Sequence, residues 1–297
     1  YQFNDSISSM FKWLTVMCHP DGEISFFNDS AIGITPSVNE IWNYGARLLG
    51  SEMLLASNDE FGENYLSNLP VSGYSRVQIG DMVAIIDRAA IGPDYLPGHA
   101  HADTLSFEMS LFGQRMIVNS GTSVYGSDAS RMQERSTDAH STAVIDGQNS
   151  SEVWSGFRVA RRARVFDSFE RQIEGVIQLS ACHDGYKRLA GRPMHCREWL
   201  FEECLLTMTD KISGKGVHQV KSILPLHPEV KVRLLKSNQA TLEVAGKNVV
   251  ITVDGNGELN DEEYKYHPEF GLSIEGRKLV YHTSGVVPIK IITRIRW

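Results

Sequence analysis

The sequence predicts a mainly β protein, a large antiparallel β-sandwich preceded by a few α-helices. Three observations lead to it. Apolar residues recur at helical spacing only near the N-terminus; beyond about residue 71 the period changes to two; and no long amphipathic helix can be read after that point. Many short β-rich runs separated by Gly, Asn and Asp turns argue for an antiparallel sandwich rather than a parallel α/β sheet. The chain therefore divides into a helical segment, residues 1–70, and a sandwich, residues 71–297.

The elements follow in order. Phe3, Ile7, Met10, Phe11 and Leu14 recur at helical spacing and predict a helix over 3–18, which stops before the turn signal His19-Pro20-Asp21-Gly22. A second helix starts after Pro36-Ser37, with Ser37 as N-cap and Glu40 completing a capping box. It carries Ile41, Trp42, Leu48 and Leu49 to Gly50 and ends near Ser51. In the sandwich, Leu105, Phe107, Met109 and Leu111 alternate with Thr104, Ser106, Glu108 and Ser110, the pattern of a half-buried strand. Phe112-Gly113-Gln114 turns the chain into Met116-Ile117-Val118, and further β-rich runs cover 143–146, 159–169, 176–181, 205–209, 249–253 and 288–297. No internal repeat or low-complexity tract interrupts this layout.

Composition narrows the function classes. Of 297 residues, 42% are apolar, enough for a substantial core. The 29 Lys and Arg against 36 Asp and Glu leave a net charge of −7, which repels a phosphate backbone and argues against nucleic acid as the main partner. No apolar run reaches membrane-spanning length, and mean hydropathy is −0.22. Cys18, Cys182, Cys196 and Cys204 form no C-x-x-C pair and are too few for a disulfide scaffold, so they leave the redox compartment open. The first residue is Tyr1, with no basic region and apolar stretch after it, so the signal region of the native protein, if any, is not in this sequence.

Two clusters can carry chemistry. In Pro97-Gly98-His99-Ala100-His101-Ala102-Asp103, two imidazoles two apart, followed by a carboxylate, suit a metal or acid/base site, or are simply two surface-loop histidines. A cupin-type metal site fits poorly, because Glu108 stands seven beyond His101. The second cluster is Arg131, Glu134, Arg135, Asp138 and His140: forked donors for an anion and an imidazole for a metal or proton, or else a solvated polar loop. Arg158, Arg161, Arg162 and Arg164 read as a solvated sheet face, with Arg158, Arg162 and Arg164 on one side. His183-Asp184-Gly185-Tyr186-Lys187-Arg188 reads as a turn, with His183 and Tyr186 as secondary candidates, and the remaining histidines as structural.

Four segments in order, 98–108, 117–122, 135–142 and 154–159, together resemble the heparinase II/III-like polysaccharide lyase family. His19-Pro20-Asp21-Gly22-Glu23-Ile24 and Phe26-Phe27-Asn28-Asp29-Ser30 look like the last turns of that family's α/α toroid, so the match covers nearly all the chain. The resemblance implies a lyase that cleaves uronate-containing acidic polysaccharide, glycosaminoglycan- or alginate-like, by β-elimination, in the periplasm or outside the cell. It implies His99 as neutraliser or base, Tyr125, Arg131 and Arg135 facing the substrate, and His101, Asn119 and His140 around a structural zinc. Asn119 stands where the family typically has aspartate and is a poorer donor for Zn²⁺. A simple hairpin centred on Gly113 would put Asn119 opposite Phe107 or Glu108, well along the strand from His101. The resemblance further implies that the family's catalytic tyrosine and its partner lie upstream, so this chain holds one wall of the cleft and is weakly active or inactive by itself. The alternatives are a non-catalytic carbohydrate-binding or scaffold sandwich of a polysaccharide-assembly protein, and a metal-dependent enzyme of another class built on His99, His101 and His140.

Overall fold

The computed structural model describes residues 2–50 and 64–297. The two predicted helices are α1 (Gln2–Met17) and α2 (Val38–Leu49). The capping box of α2 forms as expected: the Glu40 N–H donates to the Ser37 hydroxyl at 3.3 Å, and the Ser37 N–H to the Glu40 carboxylate at 2.8 Å. The helix closes at Gly50, while Ser51 lies outside the described residues.

Strands β1 (Asn64–Leu69), β2 (Tyr74–Ile79), β3 (Met82–Asp87), β4 (Phe107–Leu111) and β5 (Gln114–Ile117) form an antiparallel meander in sequence order. Among the described residues strand structure thus begins at Asn64, ahead of the expected boundary at 71. Only one of the six β1 residues is buried, so the strand lacks the apolar alternation that would have announced it.

The chain continues through α3 (Ala129–Glu134), β6 (Ala143–Ile145), β7 (Val153–Trp154), β8 (Arg158–Val159), β9 (Val165–Ile173), β10 (Val176–His183), β11 (Met194–Glu202), β12 (Leu205–Ser213), β13 (Val217–Pro225), β14 (Lys231–Lys236), β15 (Gln239–Val244), β16 (Lys247–Asp254), β17 (Gly257–Tyr266), β18 (Ile274–Val286) and β19 (Ile289–Arg296). An eight-stranded sheet has the order β14-β15-β16-β19-β12-β11-β10-β9 and a four-stranded one β17-β18-β13-β6. A bridge between Ile117 and Leu226 links the meander to the four-stranded sheet. One apolar core joins all three sheets: Val77, Met109 and Met116 meet Leu179, Trp199, Ile251 and Ile295, and Leu224 and Leu279 close it. This is the predicted antiparallel sandwich.

Two expectations are corrected. Strand β4 is buried on both faces rather than half-buried, because the helical segment covers its outer side. His19 and the Phe26 N–H meet Glu108 there, and Val16, Met17 and Phe27 pack against Tyr74, Val83 and Ile85 of the neighbouring β2 and β3. The expected strand over 159–169 is broken, since β8 ends at Val159 and β9 starts at Val165. Between them the Ala160 N–H donates to the Glu152 carbonyl at 2.8 Å and the Ala163 N–H to the Ser151 hydroxyl at 2.8 Å, so the arginines there share no sheet face. Arg161 pairs with Glu152 at 2.6 Å and Arg162 with Asp94 at 2.9 Å.

The strand pair β10–β11 places Cys182 opposite Cys196, and the two form a disulfide. Beside it runs a buried hydrogen-bond chain. The Gly185 N–H donates to His183 Nδ1 at 3.2 Å, which leaves the His183 Nε2–H to donate to His195 Nδ1 at 3.2 Å. The His195 Nε2–H then donates to Asp210 at 2.7 Å, where Arg197 also binds at 2.6 Å. Burial pushes both histidines below their ordinary value of 6.5, with the neighbouring charge of Arg197 adding to it and the Asp210 bond opposing it at His195. Both are therefore neutral when folded, whereas the unfolded chain takes up protons below about pH 6.5. The native state should lose stability as pH falls from 7 to 5, and a His183→Gln variant should lose less, read as the difference in urea midpoints at the two pH values. An equal loss in both proteins would contradict the neutral assignment.

Candidate active site

The site begins in the loop after α1, which side chains pin to the sandwich. His19 Nε2 lies 2.8 Å from the buried Glu108 carboxylate, which also accepts the Phe26 N–H at 3.1 Å and the Asn119 N–H at 2.7 Å. Arg115 holds Asp21 at 2.6 Å and donates to the Ile24 carbonyl at 2.9 Å. The Ile32 N–H donates to the Pro268 carbonyl at 2.8 Å. With both ends tied, the loop delivers Asp29 to the sandwich surface as a nearly buried carboxylate.

Four N–H groups converge on Asp29. His99 Nδ1 lies 2.9 Å from Oδ2 and His101 Nε2 lies 2.8 Å from Oδ1. Arg131 donates Nη2–H to Oδ2 at 2.7 Å and Nη1–H to Oδ1. Burial pushes the carboxyl up, but the bonds from His101 and Arg131 and the charge of Arg131 outweigh it and hold Asp29 well below the usual carboxylate range. An ionised carboxylate only accepts, so the Nδ1 of His99 carries the proton and its Nε2 carries the lone pair. The His99 side chain is 60% exposed while His101 is buried, so of the two imidazoles only His99 faces solvent.

The loops around these rings close through glycine. A Cβ on Gly156 would stand 2.3 Å from the Gly126 carbonyl oxygen, so the two loops meet only because position 156 has no side chain. Arg131 donates to the freed Gly156 carbonyl at 3.0 Å and Arg135 at 3.1 Å. Arg135 also donates to Ala100 at 2.9 Å and Ser155 at 3.0 Å, clamping the histidine loop to the 155–156 turn. Both guanidiniums are fully buried, so in this chain Arg131 and Arg135, expected to face the substrate, are instead taken up by Asp29 and by loop carbonyls. Tyr125 is 43% exposed, with its ring centroid 5.9 Å from that of His99. Burial, with Asp29's charge adding to it, pushes its hydroxyl upward, so it stays protonated.

The expected metal set is brought together in part. His101 Nδ1 and His140 Nε2 face each other at 3.2 Å. His101 donates its other nitrogen's proton to Asp29, and His140 donates Nδ1–H to the Ser136 carbonyl at 2.7 Å. Both facing nitrogens thereby carry lone pairs, the arrangement of metal-ligating imidazoles held by outer acceptors. Burial pushes His140 down to about 3, so it is neutral. Asn119 Oδ1 accepts the Ser141 N–H at 3.5 Å, and its Nδ2 is buried without a partner. The rings suit a divalent metal, and the third position offers only a neutral amide. Among the described residues no group of three or more His, Cys, Asp or Glu side chains is placed to hold a metal ion. Asp103, which follows the histidines in sequence, is not part of the site: it points to the Asn28 N–H at 3.4 Å, and burial pushes its carboxyl up to about 7. Asp29 escaped the residue-by-residue reading, since nothing in Asn28-Asp29-Ser30 marks a carboxylate that must meet an arginine 102 residues away.

Residues 62–297 match a family model described as heparinase II/III-like, C-terminal. A solved heparinase III gene product superposes with a TM-score of 0.80 at 16% identity, covering 99% of this chain and 47% of its own. Heparan sulfate lyase HepC from Pedobacter heparinus gives 0.76 at 18%, covering 97% and 46%, and a second heparinase III gives 0.79 at 15%, covering 99% and 48%. The chain thus spans about half the length of these structures and has their sandwich fold. No curated protein sequence matches it.

Replacing one partner of a buried pair leaves the other charge uncompensated. Arg131→Met should therefore cost about 3–5 kcal/mol in denaturant unfolding, far more than Arg161→Met at the exposed pair with Glu152. Equal losses would show that Asp29 does not depend on Arg131.

Proposed function

Since the chain belongs to the heparinase II/III-like family, we propose that it forms the sandwich wall of a polysaccharide lyase cleft, in which His99 serves β-elimination of a uronate-containing polysaccharide. The observation that carries this reading is the Asp29–His99 pair. With Nδ1–H held by a buried, ionised carboxylate, the exposed ring offers a basic Nε2, and Asp29 would stabilise the imidazolium formed when that nitrogen takes a proton.

The reaction fits such a group. The proton on C5 of the uronate is acidified by the neighbouring carboxylate once donors offset its charge. A base removes it, the C5–H electrons form the C4=C5 double bond, and the C4–O bond breaks. The departing oxygen leaves with the electron pair and takes up a proton. His99 supplies the base. Tyr125 touches the substrate with a protonated hydroxyl, while Arg131 and Arg135 position the loops. The chain spans about half the length of the solved heparinases, and we assign the remaining catalytic groups to the other half, so that this chain alone turns over weakly or not at all.

His101 and His140, with Asn119 as the third and weaker donor, would hold a zinc ion whose part is structural, tying the histidine loop to the 136–140 segment. The Cys182–Cys196 disulfide supports an exported location, periplasmic or secreted.

The test is absorbance from new unsaturated uronate ends, with the longer parent protein on heparosan, heparan sulfate, hyaluronan, chondroitin and alginate. The parent should cut at least one, and His99→Ala should lower its rate by roughly 10²–10⁴-fold, far more than any loss of folded protein accounts for. Silence across the panel would favour a binding or scaffold sandwich. Chelation should lower the melting temperature without changing initial rates at temperatures where the fold persists; turnover that requires stoichiometric added metal would overturn the structural assignment.

A further inference from the structure

The cleft beside His99 has a composition that the elimination step does not explain. It encloses about 830 Å³ and is lined by Tyr95, Phe157 and Arg158 as well as His99, with no carboxylate among its lining residues. In a chain of net charge −7 that lack stands out. Tyr95 is 87% exposed and Phe157 43%. The Phe157 ring lies 5.7 Å from that of His99 and 5.1 Å from Tyr125, and Tyr125 lies 4.7 Å from Phe270, itself 37% exposed. Aromatic rings clustered at the surface around a polar site mark a place where something apolar on one face is meant to lie.

The charges complete the argument. Arg131 and Arg135 are buried, and Arg161 and Arg162 are paired with Glu152 and Asp94. Arg158 is exposed, lines the cleft, and pairs with no carboxylate among the described residues. Ser127 and Ser155 add hydroxyls to the same lining. The cleft therefore offers an aromatic wall, hydroxyls and a single available cation.

We propose that this cleft is a sugar subsite for a second uronate ring of the polysaccharide, distinct from the ring that His99 serves. The apolar face of the pyranose lies on Phe157 and Tyr95, and its carboxylate meets Arg158. The assignment rests on the lyase reading for the chain's direction past His99, but the binding itself does not require turnover. A neutral sugar would leave Arg158 without a partner, and a small anion would leave the aromatic wall uncovered.

The test is calorimetric titration of this chain with an unsulfated uronate–hexosamine hexasaccharide, with a neutral hexasaccharide of glucose as control. The uronate oligosaccharide should bind and the neutral one should bind at least about tenfold more weakly. Arg158→Gln should weaken uronate binding by about tenfold and Arg158→Lys by less, with unchanged melting temperatures, since Arg158 is exposed. Phe157→Ala should weaken it several-fold and Phe157→Tyr should restore it. No heat with the wild type, or binding indifferent to both Arg158→Gln and Phe157→Ala, would overturn the subsite. The lyase reading fails separately: binding that depends on Arg158 and Phe157, without unsaturated product from the parent, keeps the subsite and removes the reaction, whereas product formation unaffected by either substitution does the reverse.

Discussion

The site depends on one buried carboxylate. Asp29 has two oxygens and about four places to receive a hydrogen bond, and His99, His101 and both Arg131 nitrogens use them. Such a group is stable in a low-dielectric setting only while those donors stay in place, so the cost of losing any one of them is what keeps the loops registered. Through Asp29 the chain after α1 becomes part of the sandwich surface, the histidine loop takes its orientation, and α3 is held by its arginine. The exposed imidazole then has its tautomer decided from beneath.

Glu108 does the same work one layer deeper. It lies on β4, on the face that would be solvated in an isolated sheet, and it joins His19, the Phe26 N–H and the Asn119 N–H. The two carboxylates fix the loop of residues 18–32 near its start and near its end. That loop then covers β4 on its outer side, which is why the strand's polar residues are buried. Apolar packing of Val16, Met17 and Phe27 on Val83 and Ile85 fills the space around these bonds. The polar groups set which arrangement forms, while the packing supplies most of the driving force.

Much of this was legible in the sequence, and what was not has a physical explanation. The helical period of residues 3–18, the Ser37–Glu40 capping box and the period-two strands of the sandwich are local signals, and local signals survive in a single sequence. The alternation around Phe107 was read correctly as a strand but wrongly as half-buried, because the cover over Glu108 comes from residues about 80 to 90 positions away. The same distance hid Asp29. The ordered motifs 98–108 and 135–142 directed attention to His99, His101 and His140, and the structure brings the last two within 3.2 Å. They did not distinguish exposed arginines from buried ones; Arg131 is buried on the Asp29 carboxylate and Arg135 among backbone carbonyls. The disulfide depends on strand register, which places Cys182 opposite Cys196 and which spacing alone does not specify.

The central claim is that Asp29 fixes His99 with its proton on Nδ1 and leaves Nε2 as the base. The most direct measurement is the pair of ring nitrogen chemical shifts of His99 in ¹⁵N-labelled chain at a pH where the ring is neutral. The account predicts a protonated Nδ1 and an unprotonated Nε2, reverting to the ordinary mixture of tautomers in Asp29→Asn. A His99 that is protonated on Nε2 in the wild type, or one whose shifts ignore the substitution, would contradict it.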